Sequence, residues 1–246
     1  MRAPDEIQDL CRAFLDGLKA ALGEKLYGLY LYGALAFPEG GPTGDIDFHV
    51  ILSERLSDRE KAALDDLHAT LARDFPPLGA DLDGYYLLLA DARQTAPPRH
   101  QLLAGVTDDS WALHREHIRA GRCIVLYGPD PRQVYPAASW PELADALQGE
   151  LDYVEQHLTD YPAYCVLNLC RLIYSFTSRD VVVSKWASAG WAEETYPEWR
   201  PLIEAARRSY ERRATERDEE QLQSEVSRFF RFACGRIRES FAEAVE

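Results

Sequence analysis

Two aspartates one residue apart, Asp45 and Asp47 in the run Gly-Asp-Ile-Asp-Phe-His-Val-Ile-Leu at 44–52, are the residues whose spacing most directly suggests chemistry. On a strand alternate side chains face the same side, so both carboxylates project together while Ile46, Phe48, Val50 and Leu52 enter a core. Like charges that close cost free energy unless one is protonated or a cation lies between them, and Mg²⁺ prefers oxygen ligands while keeping waters and substrate phosphates. A bare Asp-x-Asp is more often a polar strand entrance, but here the context differs. Gly33 ends an apolar run twelve residues before Asp45, and the loop between them carries Pro38, Gly40, Gly41, Pro42 and Gly44. Backbone N–H groups in such a loop can approach an anion. A third acid comes from the next strand, where Asp81 and Asp83 share a face and either can complete the set. Three carboxylates on adjacent strands beside a glycine-lined turn are the layout for two-metal nucleotidyl transfer, with metals about 3.5–4 Å apart.

The elements that must position these acids follow from periodicity. Ile7, Leu10, Phe14, Leu18 and Leu22 fall three or four apart and predict an amphipathic helix. Strands are predicted at 25–33, 45–52, 83–89 and 123–127, with helices at 57–73 and 108–120. Beyond Pro136 no further β-branched run bounded by turns occurs, and the spacing is helical over 140–158, 162–177, 184–194, 198–212 and 216–243. The last segment carries a stripe of Leu222, Val226, Phe229, Phe230, Ile237 and Phe241, read as the packing face of a bundle. The fold class is therefore α+β, a mixed sheet with helices over 1–137 followed by an all-helical bundle over 138–246.

Composition narrows the partners. A chain of 246 residues with 46% hydrophobic and 28% charged residues is of ordinary globular type. Its formal net charge of −14 repels a nucleic-acid polymer but leaves room for a nucleotide bound through metal ions. Five cysteines with no Cys-x-x-Cys pair predict buried thiols in a reducing cytoplasm, and no run is long and apolar enough for a bilayer.

The segment LYLYGALAFPEGGPTGDIDFHVIL resembles the motif of the polymerase-β-type nucleotidyltransferase superfamily, usually Gly-Ser, a loop, then Asp-x-Asp. The segment Cys165 to Tyr210 is similar to the helical C-terminal domain of the aminoglycoside (3″)(9)-adenylyltransferases, the streptomycin and spectinomycin resistance enzymes, and Leu-Tyr-Gly-Pro at 126–129 continues the likeness. The resemblance implies Mg²⁺-dependent transfer of AMP from ATP to a hydroxyl of a small cationic acceptor, with release of pyrophosphate, by a monomer. It assigns two Mg²⁺ ions to Asp45 and Asp47 and the base to Asp83. It places the nucleotide against Gly33, Ala34, Gly44, Arg171 and Lys185. Two departures stand out: Ala34 replaces the motif serine, and Gly44 stands where a serine usually precedes the first aspartate. They leave two other readings open, a member that nucleotidylates a protein and a binding module without turnover.

Lys185 is one of four lysines against 23 arginines and the only one after Lys61, which marks a compact point charge suited to phosphate. Arg171 lies on an otherwise apolar helix, where an ion pair with a helical-domain acid competes with the nucleotide role. Between Arg132 and Arg171 there are six acids and no Lys or Arg, a surface that attracts a polycation. Of these, Asp152 and Glu155 are the candidate acceptor contacts. His49 continues the face of Asp45 and Asp47 as a partner for a carboxylate rather than a magnesium ligand. Trp111 is read as core, and His114, a turn further along the same helix, as lining the cleft.

Overall fold

The computed structural model of the chain describes residues 7–38 and 44–243, with side chains to residue 240. The middle of the glycine- and proline-rich loop and the side chain of Phe241 therefore lie outside the described residues. The chain divides into two compact units, Met1–Ala36 with Thr43–Ala138, and Phe37–Pro42 with Ser139–Glu246.

The first unit is built on one four-stranded sheet. Helix α1 (Gln8–Leu22) leads into β1 (Leu26–Leu31), β2 (Ile46–Leu52), α2 (Asp58–Asp74), β3 (Leu82–Leu88), the one-turn α3 (Leu89–Ala92), α4 (Trp111–Arg119) and β4 (Ile124–Tyr127). The spatial order is β3-β2-β1-β4. β1 runs antiparallel to β2 and β4, whereas β2 and β3 are parallel, so the sheet is mixed. A parallel pair needs a crossover between its strands, and α2 supplies it. Its start is fixed by a capping box in which the Ser57 hydroxyl accepts from the Glu60 N–H and Glu60 accepts from the Ser57 N–H at 2.6 Å.

Alternation along the strands sorts the two faces. Ile46, Phe48, Val50 and Leu52 of β2, with Leu29 and Leu31 of β1, pack with Phe14 and Leu18 of α1 and Leu64 and Leu71 of α2. The opposite face carries Tyr30, Tyr32, Ile51 and Leu87, covered by Trp111, Ile118, Val134 and Tyr135. Asp47 and His49 belong to this second face because their positions are odd to the apolar set. The strand anticipated from Asp45 begins at Ile46, and the helix anticipated at 108–120 spans Trp111–Arg119. Asp108 is withheld from that helix because its carbonyl closes a turn by accepting from Trp111 N–H at 3.1 Å while its carboxylate is drawn into the core.

The second unit is helical: α5 (Trp140–Gln156), α6 (Pro162–Ser178), α7 (Lys185–Thr195), α8 (Arg200–Tyr210) and α9 (Glu216–Glu243). α6 is buried on nearly all sides, through Cys165, Val166, Leu167, Leu169, Cys170, Leu172, Ile173 and Phe176, as befits a central helix. α5, α7, α8 and α9 pack around it. The stripe on α9 buries Leu222, Val226, Phe229, Ala233 and Ile237, with the Trp199 ring tilted against Phe229 at 5.0 Å. All five cysteines are free, four buried and Cys234 half-buried.

Candidate active site

The aspartates stand at the N-terminal ends of β2 and β3. The parallel register sets Asp47 directly opposite Asp83 and His49 opposite Tyr85. Asp47 is half-buried and Asp83 exposed; Asp45, also exposed, stands one residue before β2, and Asp81 one residue before β3. The Asp81 carbonyl accepts from Ile46 N–H at 2.9 Å and ties the two strand entrances together.

Gly33 is fitted to this arrangement. It sits at φ +68°, in the left-handed region that favours glycine, and a Cβ there would land within the Asp47 carboxylate. Asp47 thus lies over the bare Cα of Gly33, and Tyr32 N–H donates to the Asp47 carbonyl at 3.0 Å. A 3₁₀ turn over Gly33–Ala36 follows and leaves Ala34 exposed. Gly44 is also exposed and has open space where a Cβ would be. A carboxylate pair bridging two strands, against a glycine that opens the backbone beside it, is a donor set of the hard-oxygen kind that suits Mg²⁺.

Behind the acids lies a layer of rings around a second carboxylate. Asp108, with its side chain fully buried, faces His49 Nε2 at 3.4 Å and His114 Nδ1 at 2.9 Å. The Tyr32 ring lies 4.5 Å from that of His49 and 4.8 Å from that of His114. Burial pushes the Asp108 carboxyl up, yet His114 and His49 hold it below the ordinary carboxylate range. Burial drives the His49 imidazole down against the opposing pull of Asp108. Burial, followed by the negative charges of Asp108 and Asp47, raises the Tyr32 hydroxyl well above its usual value. Trp111 is core, its indole N–H donating to the Gln94 carbonyl at 3.0 Å. Sequence reasoning passed over Asp108, because an acid in Thr-Asp-Asp-Ser ahead of a helix looks like an ordinary capping residue. Its one sequence signal is the His114 six residues further on.

The second unit holds the remaining candidates. Arg171 donates to Glu150 Oε2 at 3.1 Å, and Asn168 donates to the same oxygen at 3.1 Å. Lys185 is the first residue of α7, and its ammonium lies 4.1 Å from the centre of the Tyr164 ring. Asn168 and Tyr164 are also in contact, at 3.4 Å, so Arg171, Glu150, Asn168, Tyr164 and Lys185 form one connected group. Above it opens a cavity of about 520 Å³, walled by Tyr153, Tyr161, Tyr164 and Tyr210 and carrying Asp160 and Glu219. Asp152 and Glu155 are exposed on α5, Asp152 accepting from Gln148 at 2.7 Å.

Comparison with known proteins supplies the context for both units. Residues 133–236 match the family model of the aminoglycoside adenylyltransferase C-terminal domain. No curated protein matches the chain. Among solved structures, the chain is similar to the spectinomycin adenyltransferase AAD(9) from Enterococcus faecialis, crystallised with ATP and spectinomycin. The TM-score is 0.74 at 18% sequence identity, over 94% of this chain and 98% of that one. At that identity the likeness shows the fold.

Proposed function

We propose that this chain, whose residues 133–236 match the aminoglycoside adenylyltransferase C-terminal domain, is an adenylyltransferase that transfers AMP from ATP to a hydroxyl of a small cationic aminocyclitol or aminoglycoside and releases pyrophosphate. The observation that carries this reading is the Asp47–Asp83 pair set across two parallel strands over the bare backbone of Gly33. Asp45 and Asp47 would hold Mg²⁺, which when bound neutralises nucleotide oxygens and aligns the α-phosphate. Asp83 accepts the proton of the acceptor hydroxyl as the new P–O bond forms and the bond to the pyrophosphate oxygen breaks. An aspartate reaches less far than a glutamate, so Asp83 works close to the hydroxyl or through one water. Backbone N–H groups at Gly33, Ala34 and Gly44 stand in for the absent serine hydroxyls on the triphosphate. Lys185 contacts nucleotide phosphates as a point charge, and Arg171, held by Glu150, supplies a second cation.

The acceptor class follows from charge. A net of −14, the acids of α5, and the tyrosine-walled cavity with Asp160 and Glu219 all favour a cation that carries sugar-like faces. Asp152 and Glu155 are the further acceptor contacts in this reading, and the protein acts as a cytoplasmic monomer that confers antibiotic resistance. The test is to incubate purified protein with labelled ATP, Mg²⁺ and an aminoglycoside panel. Pyrophosphate release with AMP on the drug is expected. Asp47→Asn is expected to abolish turnover and Asp83→Asn to slow it about 10²- to 10⁴-fold. Absence of release across the panel, or AMP on a polypeptide instead, overturns the acceptor class.

A further inference from the structure

The ring layer behind the carboxylates has the composition of a second, different metal site. Among the described residues, His49, Asp108 and His114 each offer one ligand atom, all within 4.8 Å of one another. They come from β2, from the loop before α4 and from α4 itself. Asp108 and His49 have no exposed side-chain surface, whereas His114 is 24% exposed, so the cluster is closed on the core side and reachable from the other.

The atoms are near enough to be drawn onto one ion. Metal–ligand distances of about 2.0–2.2 Å in a tetrahedral zinc site place neighbouring ligand atoms about 3.3–3.5 Å apart. His49 Nε2 stands 3.4 Å from Asp108 Oδ2, at that spacing, whereas His114 Nδ1 is hydrogen-bonded to the same oxygen at 3.0 Å, a contact that a bound ion would replace. His49 Nε2 meets Asp108 without hydrogen-bond geometry and has no other hydrogen-bond partner, although it is buried completely. A buried imidazole nitrogen aimed at a buried carboxylate without bonding to it is costly unless something sits between them. The donor set, two imidazoles and one carboxylate, is too nitrogen-rich for Mg²⁺ and fits zinc-class ions. Tyr32, whose hydroxyl lies 3.5 Å from His114 Nδ1, and Trp111 form the aromatic wall around it.

We propose that His49, Asp108 and His114 bind one zinc-class divalent ion, with water at the fourth position on the His114 side. The ion ties α4 and its preceding loop to β2 immediately behind Asp47, so it is a structural clamp for the catalytic face and distinct from the magnesium pair. This goes beyond the adenylyl-transfer reading and stands or falls apart from it.

The test uses the full chain, stripped by chelator dialysis and titrated with ZnCl₂ by calorimetry, then with Co²⁺ while the visible spectrum is recorded. One ion per chain is expected, with a dissociation constant of about micromolar or tighter, a rise in Tm and the intense bands of tetrahedral Co²⁺. His114→Ala and Asp108→Asn are each expected to weaken binding at least about 100-fold, since even partners of metal ligands are worth about 10- to 100-fold. His114→Gln, with circular dichroism to verify folding, serves if either variant is unstable. Asp47→Asn and, in the helical unit, His157→Ala are expected to bind zinc as the wild type does. Absence of stoichiometric binding, undiminished binding in the Asp108 and His114 variants, or loss of binding in His157→Ala overturns the proposal.

Discussion

The two units bury different kinds of atoms. In the sheet unit the buried polar set includes His49, His100, Asp108, Arg115 and His117, with His49 and Asp108 facing each other. Among the described residues of the helical unit the corresponding set is Asn168, Ser175, Ser184, Ser188 and Asp218, with aliphatic side chains, thiols and the rings of Phe176, Trp199 and Phe229 in the rest of the interior. Five of the six histidines, at 49, 68, 100, 114 and 117, fall in the sheet unit and only His157 in the other. Buried ionisable groups cost free energy unless each finds a partner, so a fold carries them where they do something. The contrast indicates that the sheet unit spends stability on a precise carboxylate geometry. The helical unit carries fewer buried ionisable groups, with Asp218 held by Arg208 and Thr215.

Gly33→Ala is the sharpest way to break that contrast. The added methyl must displace the Asp47 carboxylate and occupy a backbone conformation that L side chains rarely adopt. A shift of about 1 Å in a reacting group costs about 10²-fold, so kcat is expected to fall at least that far while the helical unit is unaffected. Steady-state kinetics beside far-UV circular dichroism checks this; near-normal turnover would show that Asp47 does not depend on the bare Cα. Next in size is Phe229→Ala in α9, where a fully buried ring packed against Trp199 is lost. The expected cost is about 3–5 kcal/mol in urea unfolding, with kcat per folded molecule unchanged.

What was legible in the sequence divides along the same line. The helical unit could be read almost element by element: α9 was anticipated at 216–243 and spans Glu216–Glu243, because an amphipathic stripe is a local signal. The strands were likewise visible, and so was the alternation that sends Asp47 away from Phe48. The strand order, the Asp47–Asp83 register and the role of Asp108 were not. Asp108 reaches His49 across 59 residues of sequence, and Arg171 reaches Glu150 across 21, and no periodicity encodes a contact between elements. The ion pair on Arg171 was one of two readings open for that residue; the structure shows the pair, and a nucleotide can compete for the same guanidinium.

Acidification gives a smaller and more selective test. Burial lowers the pKa of His68 and that of His100, whose ring is fixed by the Gly84 carbonyl and by the N–H groups of Leu102 and Leu103. Both imidazoles stay neutral in the folded state below their ordinary value of 6.5, while the unfolded chain takes up the protons. The unfolded state then binds more protons, so stability is intact above 6.5 and falls as the pH drops below it. The limiting slope is about 1.4 kcal/mol per pH unit for each group. Hydrogen exchange resolved by segment, between about pH 7 and pH 5, is expected to show β2 and β3 losing protection before α6. Equal loss in both units would remove the distinction.

The smallest effects separate the units by function rather than by stability. Ser57 caps α2 through Glu60, and Ser184 caps α7 by accepting from Ala187 N–H at 2.9 Å. Replacing either by alanine should cost about 1 kcal/mol, since each removes one side-chain cap. Only the second cap lies next to a proposed phosphate contact, because Lys185 is the residue that Ser184 introduces. Ser184→Ala is therefore expected to raise the KM for ATP several-fold with kcat little changed, and Ser57→Ala to leave both constants alone. If the two variants match in stability and also in KM, Lys185 does not contact the nucleotide, and the chemistry of the helical unit must be sought instead in the tyrosine-walled cavity beside it.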